Sequence, residues 1–142
     1  MSGNIQALAN VLSPITIAAG RNLDFGNVTP SVNKTVAVTD ATSGRFDAAG
    51  QASANVDISF TLPANLTGPG NLPIGSWTGC WNSSAASSGA GCTAIANMAG
   101  NTAASFGAAG SLWVFVGGTV SPAAAQPAGA YSANVTLTLA YL

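Results

Sequence analysis

The sequence predicts an all-β sandwich, and three observations carry that prediction. Ala54, Val56, Ile58, Phe60 and Leu62 alternate with Asn55, Asp57, Ser59 and Thr61. Tyr131, Ala133, Val135, Leu137, Leu139 and Tyr141 alternate with Ser132, Asn134, Thr136 and Thr138. A period of two puts one face of each segment in a core and the other in water. Third, Gly and Pro punctuate the chain at Gly44, Gly50, Pro69-Gly70, Gly117-Gly118 and Pro127, the spacing of many short strands joined by turns.

Taken in order, the elements begin with Ile5, Ala7, Ala9 and Val11, which alternate with Gln6, Leu8 and Asn10 ahead of a break at Ser13-Pro14. That spacing suits one β-strand placed before the domain proper, so residues 1–13 are read as an N-terminal extension and 14–142 as a single domain. Shorter strands fit Pro14–Ala18, Asn22–Gly26 and Val32–Thr39. The alternating run from Ala54 to Leu62 follows and is stopped by Pro63. The stretch Ala85–Gly110 is rich in Ala, Ser and Gly and leaves two readings open. It is either a long disulfide-tied loop, or weak strands with a short helical turn near Ala94–Ala99. Leu112-Trp113-Val114-Phe115-Val116 is apolar on both faces, which predicts a central strand over Leu112–Gly117. The alternating C-terminal run closes the list.

Cys80 and Cys92 are the only cysteines. The small polar segment between them closes easily, and a loop so short gives about 3 kcal/mol in the chain-entropy model. A structural disulfide is therefore expected, which places the chain outside the reducing cytosol. The opening Met1-Ser2-Gly3-Asn4 lacks the charged and apolar regions of a signal peptide, so an exported chain is expected to be near its mature form. Trp77 and Trp81 flank Cys80 and are read as packing on that bridge; with Trp113 they would otherwise make a sugar-binding shelf. Asp24 is read as a turn residue. Arg45 and Asp47 are read as a surface pair of little energetic weight.

Composition excludes several functions. Lys and Arg total 3, Asp and Glu total 4, and there is no His, so charged residues are 5% of the chain, against about a quarter in ordinary domains. No His–carboxylate relay, transition-metal cluster or cofactor is expected, and the chain is not read as an enzyme. Three cations cannot neutralise a run of phosphates, so no nucleic-acid partner is expected. No apolar run approaches the ~20 residues of a membrane-spanning helix. The remaining coat of Ser, Thr, Asn and Ala suits a surface that is buried in an assembly or glycosylated at the Asn-X-Ser/Thr sites starting at Asn27, Asn33, Asn65, Asn82 and Asn134.

The two ends suggest a connection. The final core-type strand stops at Leu142 with no strand, charge or proline to cover its edge. The opening segment is a strand with no obvious place. Strand donation joins the two: residues 5–11 of one subunit add to the open edge of the next. The alternative is that residues 5–12 pair within their own chain and close the sandwich.

The residues also resemble a known family. Pro14-Ile15-Thr16-Ile17 followed by Leu23-Asp24-Phe25-Gly26-Asn27-Val28, and the ending Gly129-Ala130-Tyr131-Ser132-Ala133-Asn134-Val135-Thr136-Leu137-Thr138-Leu139-Ala140-Tyr141, are similar to spore-coat-U-like and related bacterial surface domains, which include archaic chaperone–usher pilins. Gly44–Leu62 and Gly117-Gly118-Thr119-Val120 fit the middle of the family; residues 63–110 match poorly.

The resemblance implies an immunoglobulin-like β-sandwich lacking its final strand, completed by the N-terminal strand of a neighbouring subunit. It implies a pilus subunit on the cell surface, for adhesion or biofilm formation, with copies of itself in a head-to-tail filament and an export chaperone and usher as partners. Carried over by position, Ile5, Ala7, Ala9 and Val11 would be the donor residues. Val135, Leu137, Leu139 and Tyr141 would line the acceptor groove. The two alanines are small for such a groove, and a one-residue slip would turn Leu8 and Leu12 inward instead. Two other functions stay open: a monomeric or tip adhesin binding surface glycans, and a coat protein assembling laterally without strand exchange.

Overall fold

Apolar side chains from the facing surfaces of two antiparallel sheets build the core. The computed structural model describes residues 1–84 and 89–142. Its strands, in chain order, are β1 (Thr16–Arg21), β2 (Lys34–Val36), β3 (Gly44–Ala49), β4 (Asn55–Thr61), β5 (Asn65–Thr67), β6 (Asn71–Asn82), β7 (Thr93–Ala94), β8 (Thr102–Ser105), β9 (Ser111–Val120) and β10 (Thr136–Tyr141). Among the described residues there is no helix. A seven-stranded sheet runs β1-β3-β9-β6-β5, with β2 added to β9 and β7 to β6; a three-stranded sheet runs β10-β4-β8. Val56, Ile58, Ala104 and Leu137 of the small sheet meet Ala48, Leu112, Val114 and Val116 of the large one. This two-layer arrangement fits a β-sandwich. A second cluster of Phe25, Val36, Leu72, Ile74 and Val120 lies beside the first, and Leu23 and Trp77 pack against both.

The run over 54–62 forms β4, and the C-terminal run forms β10 only from Thr136, residues 131–135 lying outside the strands; β4 and β10 pair from Thr136↔Thr61 to Tyr141↔Val56. The doubly apolar run is central, as expected: β9 pairs with β2, β3 and β6. Its outer face carries Phe115, which is wholly buried although it points away from the core between the sheets. Cys80 is its cross-strand partner and is buried too. A Cβ on Gly89 would come within 2.3 Å of the Val38 carbonyl oxygen, so the cysteine loop lies hard against residues 38–39.

Cys80 and Cys92 form the expected disulfide, with a sequence separation of 12. Replacing both by Ser is expected to lower stability by about 3 kcal/mol. In a thermal melt that is a fall of roughly 10 °C; an unchanged melting temperature would show that the loop is held by its packing alone.

Several local readings change. Asn22–Gly26 is not a strand, because the Asp24 carboxylate accepts the Gly26 amide at 2.8 Å and Gly26 takes φ 63°, which turns the chain. Asp24 is thus a turn residue. The strand read over Val32–Thr39 shrinks to β2, since Asp40 captures the Ala37 amide at 2.8 Å. Of the Ala85–Gly110 stretch, residues 85–88 lie outside the described residues. The rest holds β7 and β8, and a turn closed by the Gly100 amide on the Asn97 carbonyl replaces the helical turn. Trp81 does not pack on the disulfide: it alternates with Cys80 and so faces the opposite side of β6, against the main core. Trp77 packs against the core as well. Arg45 and Asp47 do pair, Nε to Oδ1 at 2.7 Å.

Candidate functional site

The edges of the two sheets leave a seam on one side of the molecule. β1 pairs only with β3 and β10 only with β4, so among the described residues the outer edge of each carries no strand partner. Unpaired main-chain donors and acceptors on such an edge are a template for another strand.

The seam is closed at one end and open at the other. At the closed end Ser13 meets Gln51 and Tyr141: its amide donates to Gln51 Oε1 at 3.1 Å, and its carbonyl accepts from the Tyr141 hydroxyl. Ile15, next along, is half-buried against the main core. At the open end lies a cleft of about 1070 Å³. Its lining takes in Ala19, Arg21 and the turn through Leu23 and Phe25 on one wall, and residues 126–135 on the other. The floor is apolar, from Phe46, Leu72, Ile74, Trp77 and Val116. These are core side chains left incompletely covered: Leu23, Phe46, Trp77 and Val135 are only half-buried although packed on the main cluster.

Each wall is braced from within. Arg21 donates to the Ser43 carbonyl at 2.7 Å and to Ser43 Oγ at 2.8 Å, and that fully buried hydroxyl passes on to the Val38 carbonyl at 3.1 Å. On the far wall Thr67 and Ser132 exchange both main-chain hydrogen bonds, at 2.9 and 3.0 Å. Tyr131 donates to the Pro127 carbonyl at 2.6 Å and accepts from Gln126 Nε2 at 3.0 Å. A preformed apolar trough with fixed walls is suited to taking up a flat, alternating apolar strand.

Of the proposed acceptor residues, Val135 lines this cleft. Leu137, Leu139 and Tyr141 follow along β10, all turned toward the core, with Leu137 buried and the other two half-buried. The proposed donor residues lie elsewhere. Ile5, Ala7, Ala9 and Val11 are in no strand and face solvent; Ile5 is 99% exposed, Val11 91% and Leu8 85%. The structure therefore places the proposed acceptor residues along β10 and at Val135 just before it, and the proposed donor residues in an exposed segment outside both sheets. Sequence reading missed the other wall and the floor. The signal available was Leu23 and Phe25, large apolar residues inside a turn.

The three tryptophans form no common shelf. Trp77 is in the cleft, Trp81 faces the core beside its partner Val114, and Trp113 is one residue out of phase with Val114 on the opposite face. Among the described residues no three His, Cys, Asp or Glu side chains gather as a metal would require.

Residues 15–141 match DUF4402, described as a domain of unknown function. The chain belongs to the DUF4402 family. The match starts at Ile15, where the exposed extension meets the sandwich, and so takes in both walls of the cleft and all ten strands. No curated protein matches the sequence.

Proposed function

We propose that this DUF4402 chain is the structural subunit of an extracellular filament, polymerising by strand donation. In this reading the sandwich is immunoglobulin-like and lacks one strand at the seam between β1 and β10. Residues 5–12 of a second copy supply it. The observation that carries the reading is the placement of two complementary features. An apolar cleft lies at one end of the seam, and an exposed apolar extension leaves the body at the other end, beside Tyr141.

Because donor and acceptor lie at opposite ends, the contact is heterologous and propagates head to tail. Burying Ile5 and Val11, or Leu8 and Leu12 in the slipped register, contributes about 1.5–3 kcal/mol per large side chain, beside the new ladder hydrogen bonds. The chain has no catalytic role here. An export chaperone and usher remain expected partners because the unfilled cleft would need cover before assembly. Filaments of this kind serve adhesion or biofilm formation at the cell surface.

Val135→Asp tests the reading. A carboxylate in the apolar trough, whose two lining cations are already engaged, Arg21 with Ser43 and Arg45 with Asp47, is expected to reduce filament yield by about tenfold or more. Its thermal melt is expected to stay within a few degrees of the wild type, because Val135 is only half-buried. Equal filament yield by electron microscopy would contradict the assignment of the cleft.

The glycan-binding adhesin is the second reading, favoured by the Trp77 and Tyr131 rings in the same cleft. It predicts that sugars, and not a peptide spanning Ser2 to Ser13, protect Trp77 fluorescence from quenching.

A further inference from the structure

Ser13 is tied down at every polar atom it has. Its amide and its hydroxyl both donate to Gln51 Oε1, at 3.1 and 3.2 Å, and its carbonyl accepts from the Tyr141 hydroxyl. The same tyrosine oxygen accepts the Gln51 amide at 2.8 Å, which joins the three residues in one knot. Packing holds the knot in place. The Tyr141 ring lies tilted on Phe106 with centroids 6.2 Å apart. Gly50 passes so near that a Cβ there would meet the Phe106 ring at 2.6 Å and the tyrosine oxygen at 2.8 Å. Pro14 adds a covalent restraint, since the residue before a proline is confined to extended backbone. Immediately beyond the knot, restraint ends: residues 1–12 are exposed, in no strand.

We propose that the Ser13–Gln51–Tyr141 knot is a positioning device that aims the N-terminal extension away from its own chain's cleft, so that the strand it donates is taken by a second copy. This deepens the strand-donation reading and rests on it.

The geometry supplies the reason. β1 runs from the knot toward the cleft, and β10 returns from the cleft to the knot. For residues 5–11 to enter their own cleft, the chain must reverse just above Ser13. A tight reversal uses about four residues, which would consume Ala9 to Leu12, including half of the donor set. What remains would have to cover the length of β1, about 20 Å at ~3.3 Å per residue. Freeing Ser13 and Pro14 moves the reversal back and returns residues 9–12 to the reach of the cleft. The knot thus weights the choice between the chain's own extension and a neighbour's without touching the donor or acceptor surfaces.

The test uses the 142-residue chain with Gln51→Ala and Pro14→Gly together; neither residue lines the cleft. Spin labels at Leu8→Cys and Thr29→Cys, on dilute monomer, report the separation of the extension from the cleft end by pulsed electron resonance. With wild-type Gln51 and Pro14 we expect a broad distribution centred at long distance with a small short-distance population. In the double variant a short-distance population should rise by about fivefold, the factor worth roughly one net hydrogen bond. The self-capped monomer left after assembly should rise by a similar factor. Equal distributions and equal monomer fractions would overturn the role of the knot while leaving strand donation standing. If the unaltered chain forms no multimers at all, strand donation itself fails, and the two failures are told apart. A fall in melting temperature with unchanged distances would mark the knot as structural only and also overturn the proposal.

Discussion

Removing residues 1–12 is expected to abolish filaments and leave a soluble monomer that binds a peptide spanning Ser2 to Ser13. These residues are exposed and lie outside both sheets, so their loss leaves the two core clusters intact. It also leaves the outer edges of β1 and β10 unpaired and the cleft open to water. A peptide that binds only the folded state, present at a hundredfold its dissociation constant, stabilises by about 2.7 kcal/mol. For a domain of this size the melting temperature should rise by roughly 10 °C and depend on peptide concentration. If the truncated chain melts sharply and ignores the peptide, the sandwich is already complete and strand donation is wrong. A laterally assembling coat protein or a monomeric adhesin would then take its place.

Phe115→Ala is expected to have the largest effect on stability, about 3–5 kcal/mol, read in a urea titration as a lower midpoint at similar slope. Phe115 is fully buried on the outer face of β9, whose two edges hold β2, β3 and β6. Its loss opens a cavity beside Cys80, where the disulfide prevents the cysteine loop from collapsing freely into the gap. Thr138→Val on the exposed face of β10 makes a useful contrast, since surface changes of this sort stay within about 0.5 kcal/mol. A loss at Phe115 as small as that would mean that its burial on the outer face of β9 contributes little to stability.

The parts of this fold legible in the sequence are those where local pattern and tertiary role agree. β4 and β10 have one wet and one dry face, and a period of two reports that directly. β9 is covered on both faces, so its unbroken apolar run marks a central strand. β6 is as central as β9 but was hidden. Leu72 and Ile74 face the core before an irregularity between Gly75 and Thr78, and Gly79 and Trp81 face it afterwards. Ser76 takes φ 48° at that bulge, and the extra residue moves the inward face from even to odd positions, so no single period fits. β3 was hidden for another reason, because Arg45 and Asp47 hold its outer face and Gly44 and Ala48 supply little apolar contrast on the inner one.

The candidate site was legible only at Tyr131, Ala133 and Val135, where the alternating C-terminal run lines the far wall of the cleft ahead of β10. The rest of the cleft comes from a turn, a brace of Thr67 on Ser132 and core residues of β3, β6 and β9. Those positions are brought together by the fold and share no local signature.

The most direct measurement places a photo-crosslinking residue at Leu8 in an equimolar mixture of isotopically light and heavy chains, irradiated after assembly and read by mass spectrometry. It requires no assumption about donor register. The account predicts crosslinks of mixed mass from position 8 to residues 19–28 or 130–135 of another chain. Crosslinks confined to single chains, or mixed crosslinks that avoid both walls of the cleft, would contradict it.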